Sequence, residues 1–166
     1  MRLILTRHAK SAWDNPGLAD HDRVLNHRGR ASARAIGQWL AAHGYQPEEA
    51  LVSSAARTAE TFERICRELP KPVPVQFKRG LYHASPEQML SILHDARANC
   101  VLLIAHNPGC GALANALVSN PPSDPRFRHY PTCATSVIDF KAESWSEIQW
   151  QSGKLHNFIV PRDLIS

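Results

Sequence analysis

Two arginines and two histidines of this sequence have the chemistry needed to hold and transfer a phosphoryl group. Arg7 and His8 follow a short apolar run, Arg57 opens a helical pattern, and His106 follows the strongest apolar run of the chain. Guanidinium and imidazole groups donate hydrogen bonds that stabilise the negative charge of phosphoryl oxygens. A planar guanidinium can also contact two oxygens at once, which a lysine cannot. Together these four residues predict a cationic cup for a dianionic phosphoryl group.

His8 is the candidate nucleophile of this group. Imidazole attacks phosphorus only in its neutral form, and its ordinary pKa of about 6.5 leaves much of it neutral at physiological pH. Neighbouring cations such as Arg7 lower that pKa further. Arg57 follows Ser53 and Ser54 in a first helical turn, where free backbone N–H groups add positive potential. We therefore expect His8 to accept the phosphoryl group without a separate general base.

Apolar runs that alternate with helical patterns predict where these residues meet. Strands are predicted over residues 2–6, 50–53, 73–77 and 101–105. The alternation favours an α/β fold whose sheet is mostly parallel and buried on both faces. Because ligands bind at the carboxyl edge of such sheets, we expect the four side chains to converge there.

Helices and closing elements fill the remaining segments. The clearest helix covers residues 57–69, with an apolar face of Phe62, Ile65, Cys66 and Leu69. Others are predicted over 31–43, from the N-cap Ser85 to about 97, and from Pro108 to 117. The proline-rich segment 119–132 is predicted as an irregular loop that could cover the site, and 135–140 and 147–151 as closing strands.

Length and composition predict one domain over residues 1–166. The hydrophobic share of 43% is enough for a core without a metal or disulfide. The four cysteines form no Cys-x-x-Cys pair, which indicates reduced thiols in a cytoplasmic protein. No apolar run is long enough to span a membrane, and the net charge of +4 is spread along the chain. Neither a membrane nor a nucleic acid is therefore expected as a partner.

Other reactive residues receive simpler interpretations. The nine histidines lack the spacing of a metal site, so we expect no metal and no cofactor. Cys110 is expected to be a packed helix thiol rather than a nucleophile. Residues 14–23 are interpreted as a solvated loop near the site. The tryptophans are expected in the core or on a sheet face: Trp39, Trp145 and Trp150.

Three motifs, in this order, resemble those of the histidine phosphatase superfamily. They are Arg7-His8, Ser53-x-x-x-Arg57-Thr58-x-x-Thr61 and His106-Asn107-Pro108-Gly109. Ala9 stands where the family usually has glycine, and this resembles the SixA-type branch, the phosphohistidine phosphatases. The likeness extends over most of the chain through the segments Arg7-His8-Ala9-Lys10-Ser11-x-Trp13, Leu81-Tyr82 and Pro131-Thr132.

The resemblance implies a fold and a set of roles. The fold would be a three-layer α/β/α arrangement of the phosphoglycerate mutase type. His8 would be transiently phosphorylated, Arg7, Arg57 and His106 would hold the phosphoryl oxygens, and water would release phosphate without a metal. Asn107 and His83 are further candidates for substrate binding.

The segment after the third predicted strand bears on the substrate. Mutases and broad phosphatases of the family carry an acidic residue there, whereas this chain has none before Glu87. An alkoxide leaving group needs a strong acid, but an imidazole leaving from phosphorus needs much less help. The missing acid favours phosphohistidine in a partner protein as the substrate, with His83 as a weak proton donor.

Two alternatives remain open. The same cup could hydrolyse a small phosphate ester or sugar phosphate, with Glu87 or a loop carboxylate such as Asp124 as the proton donor. It could also bind phosphorylated partners without turnover. Each motif alone is common at surfaces, helix starts or turns, so only their joint occurrence at strand ends favours a phosphatase.

Overall fold

A single six-stranded sheet organises the computed structural model, which describes residues 1–165. Its strands are β1 (Arg2–Arg7), β2 (Glu49–Ser53), β3 (Val75–Lys78), β4 (Cys100–Ala105), β5 (Thr135–Asp139) and β6 (Lys154–Ile159). The order is β3-β2-β4-β1-β5-β6. The first four of these are parallel, while β5 and β6 pair antiparallel at one edge. The predicted mostly parallel α/β sheet is thus confirmed.

Five helices cover the two faces of this sheet. They are α1 (His27–Ala42), α2 (Ala56–Cys66), α3 (Pro86–Leu93), α4 (Gly109–Leu117) and α5 (Pro125–His129). Leu3 and Leu5 of β1 face a core shared with α3, α4 and α5, while Ile4 faces a core shared with α1 and α2. Apolar side chains on both faces of one strand explain the continuous apolar runs in the sequence. No helix within residues 1–165 is both long and apolar enough to cross a membrane.

Capping residues set the helix ends. α1 begins at His27, earlier than predicted, because the Asn26 side chain accepts a hydrogen bond from the Gly29 N–H at 2.8 Å. At α3, Ser85 and Gln88 form the predicted capping box. The predicted apolar face of α2 is confirmed, although the helix ends at Cys66 and its last residues form turns.

Two sequence predictions near the carboxyl end are wrong. The predicted strand over 147–151 is absent there: Trp145–Glu147 forms a short 3-10 turn, and the closing strand is β6. A register shift between Val137 and Ile138 disturbs the β5–β6 pairing, so the apolar residues of β6 do not alternate cleanly. Trp150 is 41% exposed, against expectation, whereas Trp39 and Trp145 are buried.

The segment 119–132 is only partly irregular, because it contains α5. Asp124 caps this helix by accepting from the Arg126 N–H at 2.9 Å, and Pro125 occupies the first helical position. Phe127 is fully buried in the core beneath it. Prolines at a helix start therefore begin regular structure here rather than prevent it.

Candidate active site

The carboxyl ends of three neighbouring parallel strands bring the predicted residues to one cavity. Arg7 ends β1, Arg57 lies in the first turn after β2, and His106 follows β4. The cavity has a volume of about 470 Å³. All six predicted site residues line it: Arg7, His8, Arg57, His83, His106 and Asn107.

His8 is held in one tautomer by the main chain. Its Nδ1 lies 2.7 Å from the carbonyl oxygen of Ala9. Because a carbonyl oxygen only accepts, Nδ1 carries the ring proton and Nε2 carries the lone pair. Burial, together with repulsion from Arg7 and Arg57, lowers the pKa of His8 to about 4. The imidazole is therefore neutral and nucleophilic at neutral pH.

His106 faces His8 across the cavity, with ring centroids 5.3 Å apart. Its Nε2 lies 2.7 Å from the hydroxyl oxygen of Ser53, while its Nδ1 is buried without a hydrogen-bond partner in the described chain. Burial, with repulsion from His8 and Arg57, lowers the pKa of His106 to about 3. One nitrogen of a neutral ring thus stays available for a ligand.

The arginines leave further donors without partners. Arg57 is 2% exposed, and Arg7 donates from Nη1 to the Tyr130 carbonyl at 3.2 Å. Among the described residues, most buried side-chain nitrogens that lack a partner lie in this site: Arg7 Nε, Arg57 Nε, His106 Nδ1, and Nε and Nη1 of Arg23. Leaving a buried donor unpaired costs about 1–3 kcal/mol, so such a cluster indicates an anion-binding site.

A close backbone contact places the remaining predicted residues. A Cβ at Gly109 would lie 2.3 Å from the Ala84 carbonyl oxygen, so only glycine lets the start of α4 approach this segment. The approach brings the His83 ring to 5.0 Å from that of His106. Asn107 donates to the carbonyls of His129 and Tyr130 at 2.9 and 3.0 Å. It therefore ties α4 to the segment after α5, and its contact with substrate stays a prediction.

The expectation that the site lacks a carboxylate is wrong. Asp20 lines the cavity, and its Oδ2 lies 3.0 Å from Nη2 of Arg57 and 3.2 Å from Nε2 of His83. Tyr82 donates its hydroxyl to the same oxygen, and Arg23 binds Oδ1. The two acids considered instead lie elsewhere: Glu87 is exposed, and Asp124 pairs with Arg126. Neither lines the cavity.

The loop that carries Asp20 explains why the sequence did not reveal it. The loop, residues 13–23, is closed at its base by a bridge between Ser11 and Leu25 and by a 2.8 Å hydrogen bond from the Ala12 N–H to the Val24 carbonyl. This closure folds a polar, charged segment over the cavity. Its charges gave the only sequence signal, and charge alone does not fix which distant arginine a loop contacts.

Asp20 is ionised in the free protein. The hydrogen bond from Tyr82, with further ones from His83 and Arg57, holds the pKa of this carboxyl well below its usual range. Arg23, beside it, stacks its guanidinium 3.5 Å above the exposed Trp13 ring. The site thus contains a third arginine and one fixed negative charge that the sequence did not predict.

Two further predictions can be compared with the site. Cys110 is fully buried behind it, and burial raises the pKa of its thiol to about 12, which confirms a packed thiol. Within residues 1–165, no three His, Cys, Asp or Glu side chains cluster closely enough to hold a metal ion.

Comparisons with known proteins agree with this geometry. A family model described as the histidine phosphatase superfamily (branch 1) matches residues 3–85, which include Arg7, His8 and Arg57. An uncharacterized protein of Mycobacterium tuberculosis is 31% identical over 163 residues, covering 94% of this chain and 99% of that protein. The chain belongs to the histidine phosphatase superfamily. Membership in this superfamily supports a phosphatase activity.

Two solved structures refine the placement of this histidine phosphatase. A protein assigned as phosphohistidine phosphatase SixA of Agrobacterium tumefaciens superposes with a TM-score of 0.79 at 29% identity, covering 96% of this chain and 97% of that one. Another SixA assignment, from Nakamurella multipartitia, gives a TM-score of 0.81 at 26% identity, covering 96% and 95%. The SixA-type resemblance and the phosphoglycerate mutase-like fold are thereby confirmed.

Proposed function

We propose that this chain is a phosphatase that forms a phosphohistidine intermediate on His8 and dephosphorylates phosphohistidine in a partner protein. One observation carries the proposal: the neutral Nε2 of His8 stands in a cavity where buried donors of Arg7, Arg57 and His106 lack partners. A nucleophile and a set of unpaired donors at one place are what phosphoryl transfer requires.

In the first step, Nε2 of His8 attacks phosphorus, the P–N bond forms and the bond to the leaving group breaks. Negative charge spreads over the phosphoryl oxygens, and the arginine N–H groups and Nδ1 of His106 donate to it. The pKa of His8, about 4, keeps the ring neutral at neutral pH, so no general base is needed. The Ala9 carbonyl stabilises the positive charge that the ring gains on phosphorylation.

In the second step, a water oxygen attacks phosphorus and the bond to Nε2 breaks. The ring leaves as neutral imidazole, because its proton stays on Nδ1 against the Ala9 carbonyl. The water proton passes to a phosphate oxygen or to solvent. No proton donor for the leaving nitrogen is required in this half of the cycle.

The lack of a strong proton donor for the leaving group favours phosphohistidine over an ordinary phosphate ester as the substrate. Asp20 is ionised in the free protein, so it has no proton to give to an alkoxide. An imidazole leaving group needs far less protonation. His83, which lines the cavity, and the Tyr82 hydroxyl beside it would serve as the weak donors. The likeness to SixA-type structures supports the same choice.

Asp20 also supports a second candidate, a small phosphomonoesterase. A dianionic substrate beside this carboxylate would raise its pKa and could convert it into a proton donor. The two candidates differ in leaving-group dependence. If phosphoserine or a sugar phosphate were hydrolysed faster than a phosphohistidine peptide, the second candidate would replace the first.

Two measurements test the proposal. Rates on a phosphohistidine peptide, phosphoserine, phosphotyrosine and sugar phosphates are compared side by side, and we expect the phosphohistidine peptide to react at least about tenfold faster. Labelled phosphate should be trapped on the wild-type protein and lost in His8→Ala. His129→Ala is the matched control, since His129 also follows an arginine but is exposed outside the cavity. Binding of a phosphorylated ligand without trapping and without turnover would indicate a binding module.

A further inference from the structure

The carboxylate of Asp20 lies where donors for a phosphoryl group converge. Its Oδ2 accepts from Nη2 of Arg57 at 3.0 Å, and its main-chain carbonyl accepts from Nη1 at 2.8 Å. Arg23 and Tyr82 donate to the same carboxylate. In this way a single side chain collects the charge-assisted hydrogen bonds that an oxyanion would otherwise receive.

Burial makes this contact important for the empty cavity. Arg57 is 2% exposed, and Asp20 is its only carboxylate partner within the described residues. A buried guanidinium without a counter-ion is costly, so the Asp20 contact stabilises the site before a ligand arrives. The same negative charge opposes a phosphoryl dianion that binds to the same donors, because like charges repel at such short range.

The Asp20 side chain can leave without unfolding its loop. The side chain is 43% exposed, so its carboxylate can rotate toward solvent without becoming buried elsewhere. The main-chain carbonyl can keep its bond to Arg57 while the carboxylate moves. The base of the loop is fixed independently, by the pairing of Ser11 with Leu25.

We propose that Asp20 is an internal competitor of the phosphoryl group. Its carboxylate holds the donors of Arg57, Arg23 and Tyr82 in the empty cavity, releases them to a phosphorylated substrate and takes them back as phosphate leaves. Asp20 thereby sets the affinity for phosphate and limits inhibition by the product. This inference rests on the proposed phosphatase function.

The test compares inorganic phosphate binding by wild type, Asp20→Asn and Asp22→Asn with calorimetry. Competition lowers the apparent affinity by the fraction of protein that is ready to bind, so Asp20→Asn should bind phosphate about tenfold more tightly. The inhibition constant of phosphate in turnover should fall by about the same factor. Asp22 lies in the same short turn, is exposed and does not contact Arg57. Asp22→Asn removes the same formal charge and should stay within about twofold of wild type.

The opposite sign would overturn the inference. If Asp20 only orients Arg57, Asp20→Asn should bind phosphate more weakly than wild type. An unchanged phosphate affinity in Asp20→Asn would also contradict competition. Equal tightening in Asp22→Asn would assign the effect to overall charge and also reject it. If neither wild type nor Asp20→Asn binds phosphate while wild type still turns over substrate, only this inference fails. If turnover is absent as well, the proposed function fails with it.

Discussion

The hydroxyl oxygen of Ser53 lies 2.7 Å from Nε2 of His106 and fixes the ring that faces His8. We expect Ser53→Ala to lower kcat by about ten- to a hundredfold, since losing one hydrogen bond to a buried group costs about 1–3 kcal/mol. Steady-state kinetics on the phosphohistidine peptide checks this. Ser54→Ala is the matched control, because Ser54 contacts His21 instead. Equal losses in both variants would show that the Ser53 contact has no special role.

The two predicted arginines should each be needed for turnover. Arg7→Ala and Arg57→Ala are expected to lower kcat by about a hundredfold or more, as for the loss of an oxyanion donor. Arg57→Lys should not restore the rate, because an ammonium lacks the planar fork. Arg67→Ala, at an exposed position just after α2, is the control. Near-normal rates in the first two variants would contradict the proposed electrostatics.

The acid limb of the rate profile should report the protonation of buried His8. In the proposed mechanism the neutral form of His8 reacts, and its pKa is about 4, so kcat/KM should stay level as pH falls from 7 to about 5 and decline only near 4. An exposed histidine would instead cause a decline near its ordinary pKa of about 6.5. Stopped-time assays from pH 8 to 4 distinguish the two cases. A decline of kcat/KM near pH 6.5 would mean that burial does not lower the pKa of His8.

Unfolding should become easier as pH falls through the same range. The unfolded chain protonates His8 and His106 near pH 6.5, whereas the folded protein resists until about 4 and about 3. Above 6.5 both states are neutral and the full stability is present. Below it, the free energy of unfolding should fall by up to roughly 1.4 kcal/mol per pH unit for each histidine. Urea denaturation of wild type and His8→Gln at several pH values tests this. In the variant, the free energy of unfolding should fall less steeply as pH decreases.

The contact between Gly109 and Ala84 can be tested by adding one methyl group. Gly109→Ala should destabilise the protein by about 1–3 kcal/mol, because the new Cβ would meet backbone that cannot yield easily. Gly80→Ala is the control: its Cβ would meet only the flexible end of Ile92 at 3.1 Å. Urea midpoints of both variants measure the effect. Similar midpoints would show that the start of α4 can shift without cost.

The sequence was most informative where local pattern and chemistry coincide. Apolar runs predicted the parallel strands that end at Arg7 and before His106, and topology then required their ends to share one edge. The capping box at Ser85 was predictable because all its partners lie within one turn. The proximity of Arg7 and His106, which are far apart in sequence, could therefore be predicted from local strand patterns.

Elements whose contacts depend on distant residues were not predictable in the same way. β6 lies at an edge with a disturbed register, so its side chains give no clear period of two. Asp20 reaches Arg57 only because a closed loop base turns the chain back over the cavity. No spacing rule connects a loop carboxylate with an arginine on another element. The positions of Arg7, Arg57, His8 and His106 around one cavity were therefore predictable, whereas those of Arg23 and Asp20 were not.

The proton on the His8 ring is positioned by a peptide group, not by a side chain. Replacing Ala9 by another small residue keeps that carbonyl. Which nitrogen of the His8 ring carries the proton therefore does not depend on the side chain at position 9. Replacement of Ala9 by glycine, the residue usual here in the family, should therefore leave the proton on Nδ1 of His8. The fully buried space around Ala9 restricts the size of the side chain that fits at this position.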